Sequence, residues 1–133
     1  LTFFVEGEPA PQGSKRHVGG GRMIEASKKV GPWRVAVKET VARLDFVPFS
    51  DAVDVSAIFY IARGKTVKRR WPIVPPDLDK LLRGLLDALT IANVWLDDSL
   101  VISFSTVEKR YADEEDFGRT GVFVTVLDVS DLT

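Results

Sequence analysis

The chain contains no cysteine and a single histidine, His17, among its 133 residues. The first absence excludes disulfides, thiolate metal sites and cysteine nucleophiles. The second excludes an HExxH motif, a histidine-rich metal cluster and a histidine dyad. A Ser-His-Asp triad would have to rest on His17, in a glycine-rich stretch ill suited to rigid positioning. No apolar run approaches a membrane span of about 20 residues, and the opening residues do not read as a signal peptide. Internal repeats and linkers are also lacking. These absences point to a soluble, intracellular protein with no membrane contact, whose chemistry rests on carboxylates, lysines, arginines and hydroxyls.

What is present suits one domain over residues 1–133: 45% hydrophobic and 28% charged residues are ordinary globular values. The net charge of −1 hides a strong division. Residues 1–70 hold 13 basic and 7 acidic residues, a net of +6, whereas residues 71–133 hold 5 and 12, a net of −7. That asymmetry fits a basic surface for a polyanion beside an acidic centre. Charges that merely solvate their faces are the plainer alternative.

Apolar patterning predicts a strand at Thr2–Val5 and then a basic, flexible loop over residues 7–30, carrying Lys15, Arg16 and Arg22. A helix is expected from Pro32 to Leu44, its buried stripe made by Trp33, Val37, Val41 and Leu44. A strand follows at Val53–Ala62, with Val53, Val55, Ile58, Tyr60 and Ala62 in loose alternation. A second basic loop covers 63–76, with Arg63, Lys65, Lys68, Arg69, Arg70 and Trp71. Leu78, Leu81, Leu82, Leu85, Leu86 and Leu89 then mark a helix starting near Asp79. Val101–Val107 and Val122–Val129 are expected as antiparallel neighbours. The fold class is α+β, a mixed sheet of about four strands with two main helices on one face.

Five aspartates, Asp77, Asp79, Asp87, Asp97 and Asp98, lie around the leucine helix. Asp79, Arg83 and Asp87 form a stripe opposite the leucines, with Lys80 beside them. Each has a structural explanation: Asp79 as a helix cap, Arg83 as the partner in ordinary i, i+4 pairs. As a cluster they suggest more. A helix followed by a returning strand is expected to bring Asp77, Asp79 and Asp98 together at one sheet edge. Three converging carboxylates without histidine or cysteine favour a hard divalent ion such as Mg²⁺ or Mn²⁺, which suits phosphodiester hydrolysis. A calcium loop of the D-x-[DN]-x-[DN]-G type is absent. Ser14 and Ser99 carry no nucleophile signature.

The run Pro76-Asp77-Leu78-Asp79-Lys80-Leu81-Leu82-Arg83-Gly84-Leu85-Leu86-Asp87-Ala88-Leu89, followed by Trp95-Leu96-Asp97-Asp98-Ser99, resembles the RusA family of Holliday junction resolvases. The opening Gly7-Glu8-Pro9-Ala10-Pro11-Gln12-Gly13-Ser14-Lys15-Arg16 is similar to the start of many bacterial and phage members. The resemblance implies a homodimeric, Mg²⁺-dependent endonuclease that cuts four-way DNA junctions by paired symmetric nicks, leaving 5′-phosphate and 3′-hydroxyl ends. It implies no organic cofactor, and action in the cytoplasm of a bacterial cell or phage-infected host. Carried over by position, Asp77, Asp79 and Asp98 would be the metal-binding carboxylates and Asp97 a supporting acid. Arg83 would stand where the family usually has lysine, and Lys80 where it has asparagine. Lys15, Arg16, Arg69, Arg70 and Lys80 are the expected DNA contacts, through salt-dependent binding of phosphates. Trp71 is a candidate for stacking on an unpaired base, or a loop anchor. Trp33 and Trp95 are assigned to packing. The Lys80 replacement keeps a second reading open, a branched-DNA-binding protein that has lost catalysis.

Overall fold

The structure, a computed structural model, describes residues 1–11, 15–18, 22–25, 28–114 and 118–131. The chain order is β1 (Thr2–Glu6), β2 (Lys15–Val18), β3 (Arg22–Glu25), α1 (Val30–Ala42), β4 (Val53–Ile61), α2 (Leu78–Ile91), β5 (Val101–Tyr111) and β6 (Gly121–Asp128). β2 and β3 pair as an antiparallel hairpin, which composition alone marked as loop. The other four strands form one sheet in the order β1-β6-β4-β5. The α+β class, the four-stranded mixed sheet and the two helices agree with expectation.

The expected β5–β6 neighbourhood is not formed. β4 lies between them, parallel to β5 and antiparallel to β6. The reason is the crossover. A strand that follows a helix packed back along the sheet runs parallel to the strand before it, so α2 delivers β5 onto the outer side of β4. The chain must then pass the end of β4 to insert β6 between β4 and β1.

One sheet face is the core. Val53, Val55, Ala57 and Phe59 of β4 are fully buried, as are Val122, Val124 and Val126 of β6. This alternation puts Ile58 and Tyr60 on the opposite face, and β4 ends at Ile61, one residue before the expected boundary. Trp33, Val37 and Val41 of α1 and Leu81, Leu85, Ala88 and Leu89 of α2 complete the core. The opposite face buries Asp54, whose carboxylate accepts hydrogen bonds from the Ser103 and Ser105 hydroxyls at 2.6 and 2.7 Å. Gly121 permits the β1–β6 junction: its φ is +152°, and a Cβ there would stand 2.0 Å from the Val5 carbonyl oxygen.

Candidate nuclease site

Asp77 is the residue that begins α2. Its backbone is extended (φ −69°, ψ 141°), and its carbonyl accepts the Leu81 N–H at 3.0 Å. Residues in this position normally spend their side chain on capping. Here the Asp77 carboxylate makes no capping bond and stays exposed, with the Lys80 ammonium 3.7 Å away. Asp79 lies in the first turn, where the positive end of the helix dipole favours a carboxylate. Among the described residues Arg83 forms no ion pair with Asp79 or Asp87, so the i, i+4 pairing that would explain the stripe structurally is not made. The leucines face the core and Asp79, Lys80 and Arg83 face solvent.

The other acids are placed by how α2 ends. Asn93 adopts a left-handed conformation (φ 63°). The Asn93 N–H bonds the Thr90 carbonyl and the Val94 N–H bonds that of Leu89, closing the helix in a Schellman turn. Trp95, almost fully buried, donates its indole N–H to the Thr90 hydroxyl at 2.7 Å. Asp97 and a 3-10 turn at Asp98–Leu100 then lead into β5. Hydrogen bonds from the Ser99 hydroxyl, and then from its N–H, hold the Asp97 carboxyl below the usual carboxylate range. Asp98 is exposed beside it.

The expected convergence within one chain does not occur. α2 starts beyond the end of β4 and runs back toward its beginning, where Val53 pairs Val101 of β5. Asp77 and Asp79 therefore sit at one end of α2, and Asp97 and Asp98 follow its other end. Fourteen residues of helix span about 21 Å. Among the described residues, no three histidine, cysteine, aspartate or glutamate side chains are grouped to hold a metal ion. One chain alone does not fit a metal at these acids.

Basic groups gather at the Asp77 end. Arg63 donates to Asp113 (2.8 Å), Glu114 (2.6 Å) and the Arg69 carbonyl, and its guanidinium lies 4.2 Å from the Tyr111 ring centre. It is thus a staple for the 63–76 loop. Lys65, Lys68, Arg69 and Arg70 remain exposed. Trp71 is exposed too, with the Arg70 and Arg110 guanidiniums 5.0 and 5.8 Å from its ring. A cleft of about 550 Å³ is lined by Ile61, Arg69, Val74, Pro76 and Tyr111 among others. The side chains of Lys15 and Arg16 lie outside the described residues. Sequence reasoning missed Lys109, which reaches from β5 to the segment before Asp77; only the fold reveals that contact.

A family model, Endodeoxyribonuclease RusA, matches residues 6–125. The chain belongs to the RusA family. The match runs from the last residue of β1 through most of β6, nearly the whole chain, and includes every acid discussed above. It makes the chain a member of an endodeoxyribonuclease family and implies Holliday junction resolvase activity, with branched DNA as the partner. Nucleases of this type generally depend on a divalent metal. No curated protein matches the chain. Among the described residues, no helix is long and apolar enough to cross a membrane.

Proposed function

We propose that this RusA-family protein is a Mg²⁺-dependent endonuclease, with Mn²⁺ able to substitute. It resolves four-way DNA junctions by paired nicks during recombination, repair or phage DNA processing in the cytoplasm. The observation that carries the reading is the exposed end of α2. There Asp77 stands in a capping position without capping, on the helix that carries Asp79 and Arg83 and directly after a loop with four exposed cations. Lys65, Lys68, Arg69 and Arg70 supply phosphate attraction without base readout. Arg83 and Lys80 neutralise the phosphate charge beside the acids. Trp71, with a guanidinium near its ring, offers a flat surface to an unstacked base.

The working unit in this reading is a two-fold homodimer. Its support is the edge of the sheet: among described residues β5 pairs with β4 alone, and it exposes Ile102 (65%) and Phe104 (44%). A long apolar edge is an invitation to self-pairing. A second copy laid antiparallel along β5 brings its Asp98 end toward the Asp77 end of the first, and symmetry does so twice. Asp77 and Asp79 of one copy with Asp98 of the other then form each acidic centre, and the two centres address two strands of the junction.

The test is cleavage of a labelled four-way junction against a linear duplex, with and without Mg²⁺ or Mn²⁺. Metal-dependent paired nicks in the junction alone support the reading. Asp77→Asn or Asp98→Asn cutting as well as the parent overturns it. The Lys80 ammonium, 3.7 Å from Asp77, favours a second reading of the protein as a catalytically weak branched-DNA binder, because a cation there competes with a metal. In that case the parent binds without cutting, and Lys80→Asn restores nicking.

A further inference from the structure

The segment that delivers Asp77 to the surface is Val74-Pro75-Pro76. Neither proline has an N–H, so the backbone of Pro75 and Pro76 has only carbonyls with which to be fastened. The donor that fastens them comes from a distant strand. The Lys109 ammonium donates to the Val74 carbonyl at 2.8 Å and to the Pro76 carbonyl at 2.9 Å. Lys109 stands opposite Phe59 in the β4–β5 pairing, near the end of the sheet where α2 begins. Its ammonium makes no ion pair with a carboxylate among the described residues. A half-buried cation beside the positive end of a helix is an unfavourable placement that a purely packing role would not require. The two bonds bracket Pro75, and the second falls on Pro76, the residue immediately before Asp77.

We infer that Lys109 is a positioning residue for Asp77, clamping the Val74–Pro76 segment so that the acid is held in one place when DNA arrives. This rests on the nuclease reading of Asp77. Lysine does this as a compact donor with three N–H groups, two of which are spent on the carbonyls. Removing them frees the turn before α2 while leaving the exposed cations at residues 65–70 in place. The consequence is misplacement of the acid, for which an error of about 1 Å costs on the order of 100-fold in rate.

The test compares Lys109→Met and Lys109→Arg with the parent in three readouts: junction affinity in metal-free buffer, cutting rate at saturating junction, and amide hydrogen exchange along α2. The expected result for Lys109→Met is unchanged affinity and a cutting rate lower by on the order of 100-fold. Exchange should quicken at residues 81–84 alone, where the amides of α2 first have backbone partners. Lys109→Arg, which keeps N–H donors for both carbonyls, should recover most of the rate. A Lys109→Met protein that cuts at the parent rate overturns the inference. So does exchange that quickens uniformly over the sheet and α2, because that marks a general loss of stability. If the parent binds junctions but never cuts them, the nuclease reading fails instead. Local exchange at 81–84 would then still support the clamp, and its absence would overturn it.

Discussion

Separately inactive variants of this protein should rescue one another. Asp77 and Asp98 lie at opposite ends of a helix about 21 Å long, far beyond the reach of one ion or one phosphate. If each acidic centre joins Asp77 of one copy to Asp98 of the other, Asp77→Asn and Asp98→Asn homodimers both lose their two centres. Each should cut a four-way junction slower by on the order of 100-fold, the scale for removing one preorganised group from a reaction centre. In a mixed dimer both substitutions fall in the same centre, and the other centre is intact. Random exchange makes half of the dimers mixed, each with one centre of two, so the mixture should hold about a quarter of the parent's centres. These should nick one strand rather than resolve the junction in pairs. The assay is a gel of labelled junction with each variant alone and after co-refolding, with subunit exchange checked by capture through a tag on one variant. Verified exchange without recovered nicking refutes the shared centre. Recovery of paired cutting would refute the one-centre-per-strand arithmetic.

Gly121→Ala places a Cβ 2.0 Å from the Val5 carbonyl at a φ of +152°, so it should lose about 3 kcal/mol or more of stability, read by urea unfolding. Arg63→Met removes the staple between the basic loop and Asp113 and Glu114. It should cost about 1–2 kcal/mol and quicken proteolysis within 63–76, whereas equal cleavage would show that the loop is held otherwise. Ser99→Ala removes the hydroxyl that does most to keep the Asp97 carboxyl low, so its titration should move up toward the ordinary range, followed by carboxyl-carbon NMR. Because the folded value lies below the unfolded one, the carboxylate's contribution to the 97–99 turn is present above the unfolded value. It is lost as pH falls through the folded one, and the variant should show less of that acid dependence.

Sequence and structure agree most where one local rule dominates. The leucine spacing of α2 survived because a helix that buries one stripe against a sheet leaves a periodic trace whatever lies beneath it. Trp33 and Trp95 sat in apolar surroundings and are in the core. The Asp77-Asp79 and Asp97-Asp98 pairs could be read as family positions because their spacing along the chain is local. Their spacing in space is not, because it depends on the sense in which β5 runs. A helix brings the chain back to where the previous strand began, so the residues at its two ends are separated by its full length. The expected meeting of Asp77 with Asp98 relies on the strand after the helix returning beside it. β5 does return to the start of α2, but Asp98 lies before β5 begins and so stays a helix length away. The same blind spot hid Lys109, whose role exists only because the parallel pairing of β4 with β5 carries the far end of β5 up to the start of α2. Its sequence neighbours, Glu108 and Arg110, pair with each other and give no hint of it. Residues that act through long-range register are thus the ones most easily missed. In this fold they bear directly on the acids, because the helix that carries Asp77 also decides how far away Asp98 must be.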